Sequence, residues 1–268
     1  MAIRFDYSGK TVVVVGGTSG INQGIAREFA IVGARVAVAS RNLEKVERTV
    51  AELEELGAEA MGFIADVRQL DAVEEGFQSV ADRWGRFDVL VSGAAGNFPA
   101  MANDMSSNAF RSVIEIDLLG TFHVLKAAFP HLKPGASVIN ISAPQASVPM
   151  VAQSHVCAAK AGVDMVTRSL ALEWAESGVR VNSVVPGPIE ETEGVDRLAP
   201  TEKMRWQLEQ SIPAGRLGKK RDVANLCLFL GAEESAFING AVIPVDGGFS
   251  LAGAAITGSY LKKMLKNS

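Results

Sequence analysis

Val12-Val-Val-Val-Gly16-Gly-Thr18-Ser19-Gly20-Ile-Asn22-Gln-Gly-Ile-Ala26 passes from a valine run through a glycine-rich turn into a helix start. Thr11–Val15 has the apolar continuity of a strand buried on both faces. Glycines in the turn let the backbone approach a pyrophosphate with no Cβ in the way. The N-terminus of the following helix offers free N–H groups and partial positive charge. A glycine cluster alone could be a tight turn. This one follows a strand, precedes a helix predicted over 23–32 and opens a βαβ unit, which is the setting of dinucleotide binding. Gly16, Thr18, Ser19, Gly20 and Asn22 are therefore candidate cofactor contacts.

The alternation continues outward. Arg35–Ala39 repeats the valine/alanine pattern, and Leu43, Val46, Val50, Leu53 and Leu56 then recur at helical spacing, an amphipathic helix. Further strands are expected at Ala60–Ala65, Val89–Val91, Ser137–Ile141, Val179–Val184 and Ala241–Val245, with helices over 70–84, 107–129, 153–177, 202–210 and 221–231. Seven strands alternating with helices predict an α/β fold: a doubly wound, parallel, Rossmann-type sheet with helices on both faces. No linker or repeat interrupts residues 1–268, which read as one dinucleotide-binding oxidoreductase domain. The polar stretch 186–212 follows a strand. It is expected as an irregular substrate loop over the C-terminal sheet edge, where such folds bind ligands.

Apolar residues make up 48% of the chain, enough for a large core, and aromatics only 6%, so Ala, Val and Gly suit close helix-on-sheet packing. A net charge of -4 with scattered basic residues gives no nucleic-acid footprint. Cys157 and Cys227 lack metal or disulfide spacing, so no metal site is expected and both read as free thiols. The charged start MAIRFDYSGK does not read as a signal peptide, and no apolar run reaches the ~20 residues of a membrane helix. The tail Tyr260–Ser268 reads as a basic, solvated stretch without a Ser-Lys-Leu-type address. A soluble cytoplasmic protein without membrane or nucleic-acid partners is expected.

The second strand runs into Ser40-Arg41. NAD enzymes usually carry an acidic residue here that accepts from the ribose 2′-OH. Ser40 cannot repel a 2′-phosphate, and Arg41 can pair with one through two charge-assisted bonds. NADPH is expected on that basis. The alternative for Arg41 is a solvated residue at a helix end.

The glycine spacing is not GxGxxG. It resembles the TGxxxGxG motif of the short-chain dehydrogenase/reductase family, with Gly16 and Gly20 matching and Asn22, a residue type tolerant of unusual φ, in place of the third glycine. The resemblance extends through Val89-Leu-Val-Ser-Gly-Ala94-Ala-Gly-Asn97, Pro186-Gly187-Pro-Ile189 and Val245-Asp-Gly-Gly248. It implies that Asp66 and Val67 contact the adenine, that Ala94, Pro186 and Gly187 border the cofactor, and that Ile189 and Thr192 contact nicotinamide and phosphate. It also implies a Tyr-x-x-x-Lys pair, four residues apart on one helical face, with a serine beside it. In that arrangement the lysine activates the tyrosine and holds the ribose, the tyrosine protonates a carbonyl oxygen, and the serine stabilises the oxyanion.

Here the chain departs from the pattern. Lys160 is present, but Val156 stands four residues before it and Ala143 stands in the serine's place. Ser142 would point the other way along an alternating strand. The 2,4-dienoyl-CoA reductases, particularly the peroxisomal type, share this absence. The chain resembles them through Ala94-Ala-Gly-Asn97-Phe98, Ser107-Asn-Ala-Phe110, Ile116-Asp117-Leu-Leu-Gly-Thr-Phe122 and Pro186-Gly-Pro-Ile-Glu-Glu-Thr-Glu-Gly194. That resemblance implies NADPH-dependent reduction of a conjugated dienoyl-CoA thioester. Hydride adds at the δ carbon, and the proton must reach carbon from a water that Asp117 and Lys160 hold. Asn97 and Phe98 would contact the acyl-CoA. Asp117 could instead only bond nearby backbone, and Asn97 could be an ordinary turn residue.

His155 neighbours the missing tyrosine, but one residue along a helix turns about 100°, so it is expected to pack elsewhere. His123 and His131 lack ligand spacing and read as structural. Lys219-Lys220-Arg221 could attract CoA phosphates but reads better as a solvated helix start. The family resemblance implies a homotetramer, with Val163, Val166 and Leu170 as either interface or core. Two other functions stay open: reduction of a different acyl thioester or carbonyl, which explains Val156 and Ala143 poorly, and dinucleotide binding without turnover.

Overall fold

Alternate valines of the first strand face opposite ways: Val13 and Val15 into one core, Val12 and Val14 into another. That two-sided burial places the strand inside a sheet covered on both faces. In a computed structural model, which describes residues 5–254, seven parallel strands lie in the order β3-β2-β1-β4-β5-β6-β7. They are β1 (Thr11–Val15), β2 (Arg35–Ser40), β3 (Ala60–Ile64), β4 (Phe87–Ser92), β5 (Leu132–Ile141), β6 (Arg180–Pro186) and β7 (Val242–Val245). The residues before Phe5 and the tail Tyr260–Ser268 lie outside the described residues.

One core packs β1 and β4 against α3 (Leu70–Trp84), α5 (Gly120–Ala128) and α6 (Ser154–Glu173); Phe77, Phe87, Val124 and Leu125 fill it. The other packs the opposite face against α1 (Gly20–Ile31), α2 (Leu43–Glu55) and α9 (Lys220–Gly231) through Ile25, Phe29, Leu53 and Leu230. Val163 and Leu170 are buried and Val166 packs against the first core, so that series serves the chain's own interior.

Two expected elements differ. The helix over 107–129 is three pieces: α4 (Ser107–Val113), a π-helical segment Ile114–Leu119 and α5. The stretch 186–212 is not irregular throughout. Besides α8 (Glu202–Ser211), capped by Thr201 and matching the helix expected over 202–210, it carries an unexpected α7 (Glu193–Leu198), capped by the Thr192 hydroxyl. Among the described residues, no helix is long and apolar enough to cross a membrane.

Candidate active site

The chain leaves β1 for β2 on one side and later returns to pair β4 on the other, so a crevice opens beyond the C-terminal ends of β1 and β4. A cleft of about 580 Å³ lies there. Gly16, Thr18, Ser19 and Asn22 line it from the first turn, Ser40 and Arg41 from the end of β2, Asp66 and Val67 from the end of β3, and Ala94 from the end of β4. Gly16 has φ +80, and a Cβ there would meet the Ala94 backbone nitrogen at 2.9 Å, so only glycine passes. Ser19, the residue before α1, makes no side-chain cap, which leaves the first N–H groups of the helix for a ligand. These features fit the pyrophosphate of a dinucleotide.

Asn22 sits in the first turn of α1, and Ala152 and Glu191 are the non-glycine residues with left-handed φ among those described. Unusual φ is therefore not the reason for Asn22. Its side-chain amide donates to the Gly93 carbonyl (2.7 Å), and a Cβ on Gly93 would lie 2.3 Å from Asn22 Oδ1. The glycine at the strand end leaves the room that the Asn22 side chain fills.

Asn42, Lys45 and Arg68 also line the cleft. Lys45, whose backbone N–H donates to the Asn42 cap, stands in the first turn of α2 and adds a second cation to the cleft that Arg41 lines. Arg68 grips Asp66 through Nε at 3.0 Å and holds its carboxyl below the ordinary carboxylate range. Gly20 lies at the rim, its Cβ position 4.0 Å from Thr192 Cγ2, which brings the loop after β6 to the glycine turn. Pro186, Gly187 and Ile189 do not line the cleft. Gly187 passes so close to Asp246 that a Cβ would lie 2.7 Å from its Cα, and Ile189 is buried in the core with its carbonyl accepting from the Thr192 hydroxyl (2.7 Å).

Asp117 lies in the π-helical segment, and such one-turn widenings recur at functional sites. Its carboxylate is 1% exposed; Oδ1 accepts from the Gly96 N–H (2.7 Å), and Oδ2 is 3.3 Å from Lys160 Nζ. Lys160, also buried, donates to the Ile141 carbonyl (3.1 Å). An ammonium has three hydrogens; one goes to the Ile141 carbonyl and the Asp117 carboxylate pairs with its charge, so donor capacity remains for a ligand or water. The mutual charge offsets the desolvation that would otherwise make either group costly to bury. No sequence signal marks Gly96, because its contribution is a backbone N–H.

Val156 packs with Val113 and Ala159, and Phe98 covers them. Ala143 precedes a short 3₁₀ turn, Pro144–Ala146, and Ser142 is buried with its hydroxyl lacking a partner among the described residues. His155 is fully buried. Its Nε2 faces the Phe98 carbonyl at 2.9 Å and its ring lies 4.6 Å from the Phe98 ring. A carbonyl only accepts, so Nε2 carries the hydrogen and is already engaged. Phe98 is thereby fixed over residue 156, and the Ala100 N–H also donates to Ala152 (2.9 Å). Asn97 Oδ1 is a buried acceptor without a partner among the described residues, while its carbonyl accepts from Arg197 of α7.

At the start of α9, Lys220 pairs with Glu191 (3.4 Å) and Arg221 with Glu28 (3.5 Å), so acidic neighbours offset the cationic cluster. Cys157 and Cys227 are free, and burial pushes the Cys227 thiol far up.

A cofactor-sized crevice whose lining includes Ala95 and Ile116, the chain neighbours of Gly96 and the buried Asp117, is the architecture of a nicotinamide-dependent oxidoreductase, and the comparisons agree. The family described as enoyl-(acyl carrier protein) reductase matches residues 15–250. The chain belongs to the short-chain dehydrogenase/reductase family. It is 38% identical to the peroxisomal 2,4-dienoyl-CoA reductase [(3E)-enoyl-CoA-producing] of Arabidopsis thaliana, over 91% of this chain and 85% of that protein. It is also 38% identical to the protein of the same name from Danio rerio, over 92% and 83%. A crystal structure of a short chain dehydrogenase from Bacillus anthracis superposes with a TM-score of 0.83 at 37% identity, covering 90% of this chain and 96% of that one.

Proposed function

We propose that the protein reduces a conjugated 2,4-dienoyl-CoA thioester with NADPH, and that Asp117 and Lys160 hold the water that protonates the product carbon. The observation that carries this reading is the buried Asp117–Lys160 pair beside an apolar Val156: carboxylate and ammonium are kept where the hydroxyl of a carbonyl reductase is gone. Arg41, with Lys45 beside it in the cleft, supports NADPH, since both cations suit a 2′-phosphate.

When bound, a reduced nicotinamide supplies the hydride that adds to the δ carbon of the dienoyl thioester. The chain's own residues then manage charge and proton. The Lys160 ammonium stabilises negative charge that spreads to the thioester oxygen, and its uncommitted N–H orients a water. Asp117, fixed by Gly96 and Lys160, accepts from that water with a remaining lone pair. The water gives its proton to carbon, and the hydroxide left behind regains one from solvent. Protonation at the α carbon yields a 3-enoyl ester, the product named for the Arabidopsis and Danio relatives; protonation at the γ carbon would yield a 2-enoyl ester. Asn97 and Phe98 bound the acyl-CoA side of the pair.

We also propose a homotetramer. Phe122 of α5, Leu119 and Phe129 at its two ends, and Met165 and Leu172 of α6 are exposed large apolar side chains on neighbouring elements.

The test is NADPH oxidation, followed at the nicotinamide absorbance, with a trans,trans-2,4-dienoyl-CoA and, in parallel, a 3-oxoacyl-CoA. Turnover of the dienoyl ester alone is expected. Turnover of the 3-oxoacyl ester would overturn the substrate. Silence with both, despite cofactor binding, would leave a dinucleotide-binding protein without this activity.

A further inference from the structure

The element that carries Asp117 continues into α5, and α5 reaches across to the opposite end of the cofactor cleft. Two of its residues, one helical turn apart, meet the turn that follows β3. A Cβ on Gly120 would lie 2.5 Å from Val67 Cγ2, so the helix backbone lies directly against Val67. His123 Nδ1 is 2.9 Å from the Val67 carbonyl. The carbonyl can only accept, so Nδ1 carries the hydrogen and the donor is fixed to one ring nitrogen. Asp66 and Val67 both line the cleft, and the Asp66 carboxylate is turned back onto Arg68. Val67 is therefore held to α5 through both its side chain and its carbonyl, while the turn it belongs to borders the cleft.

We propose that His123 is a positioning residue for the adenine half of the dinucleotide. It never touches the ligand. It sets the height of the Asp66–Val67 turn through the Val67 carbonyl, and Gly120 permits the helix to come close enough to do so. This rests on the reading that the turn after β3 receives adenine.

The distinguishing variants follow from side-chain geometry. An asparagine amide places its nitrogen close to where histidine holds Nδ1, so His123→Asn keeps the donor. His123→Gln carries the same group one methylene too far, and His123→Ala removes it. The position is half-buried on a helix and accepts all three. Binding of 5′-AMP and 2′,5′-ADP, which occupy only the adenosine end, is measured by calorimetry on the full chain, together with the KM for NADPH. His123→Ala and His123→Gln are expected to weaken both adenosine ligands about five-fold, the scale of one neutral hydrogen bond. His123→Asn is expected to stay within about two-fold of wild type, and kcat at saturating cofactor should move little in any of them. Equal affinities for the asparagine and alanine variants would overturn the role of His123 while leaving the cofactor site intact. Failure of the wild type to bind any adenosine ligand would overturn the placement of adenine itself.

Discussion

Asp117 has a backbone N–H on one carboxylate oxygen and an ammonium near the other, so its orientation is determined before any substrate arrives. In Asp117→Asn one of the two amide atoms still suits Gly96, but the other presents a donor to a donor at Lys160. The ion pair is lost and the water loses its acceptor. We expect kcat to fall about 100-fold or more, the usual scale for a positioned acid–base group, with NADP binding by calorimetry little changed. Wild-type turnover in this variant would remove Asp117 from the chemistry. Arg41 acts at the other end of the cleft. Arg41→Ala should weaken NADPH by about ten-fold through loss of a charge-assisted contact and leave NADH nearly untouched. An equal loss for both cofactors would mean that Arg41 does not read the 2′-phosphate. Arg68 holds the Asp66 carboxyl below its ordinary value of 3.8. Because the folded value is depressed, the stability from this pair is present above 3.8 and is lost as pH falls through the lowered folded value. Arg68→Ala should therefore cost up to about 1 kcal/mol in urea unfolding at neutral pH, and the gap to wild type should close in acid. A gap that did not shrink at all as pH fell below 3.8 would contradict that origin.

At the scale of elements, α1 and the end of β4 meet through an exchange of sizes. Asn22 occupies space that Gly93 leaves open and bonds its carbonyl. Gly93→Ala should expel the Asn22 amide and destabilise by about 1–3 kcal/mol, as overpacking does. Asn22→Gly destabilises alone, yet the double variant should be more stable than Gly93→Ala, a non-additive cycle measured by denaturant unfolding. Strict additivity would show that the two residues do not compete for one space. The same pair shows where sequence reading stops. Apolar runs and helical spacing gave β1, α2 and α3 almost to the residue, because those patterns report burial of whole faces. The π-helical turn around Asp117 leaves no mark on a pattern of helical period, so 107–129 read as one helix. α7 has only six residues, too few to show a helical period within a polar stretch. Asp117 and Lys160, far apart in the chain, could be joined only by resemblance. The Gly96 N–H that fixes Asp117 belongs to the backbone and has no residue type to betray it. Lys45 and Arg68 were legible in principle, one in the first turn of the helix that follows Arg41 and the other two residues after Asp66.

Across the whole molecule, the apolar residues of α6 divide by face. Val163 and Leu170 are spent on the core, which leaves Met165, 61% exposed, and Leu172, 82% exposed, on the side away from the sheet. They lie two helical turns apart, and α5 with its flanks adds Leu119, Phe122 and Phe129 to the exposed apolar surface. Apolar side chains in such number on one pair of helices mark an interaction surface. Two such faces buried against each other would shield these side chains in both copies, and a symmetric contact uses the same patch twice. Met165→Glu with Leu172→Glu places two carboxylates in each copy of that contact, and neither side chain belongs to the core. Sedimentation velocity should find the wild type as a tetramer and the double variant as a smaller species. The wild-type Tm should rise with protein concentration, as it must when association stabilises the folded state, and the variant's should not. An unchanged tetramer in the double variant would place the interface elsewhere. A wild-type monomer would leave this apolar face without a partner of its own kind.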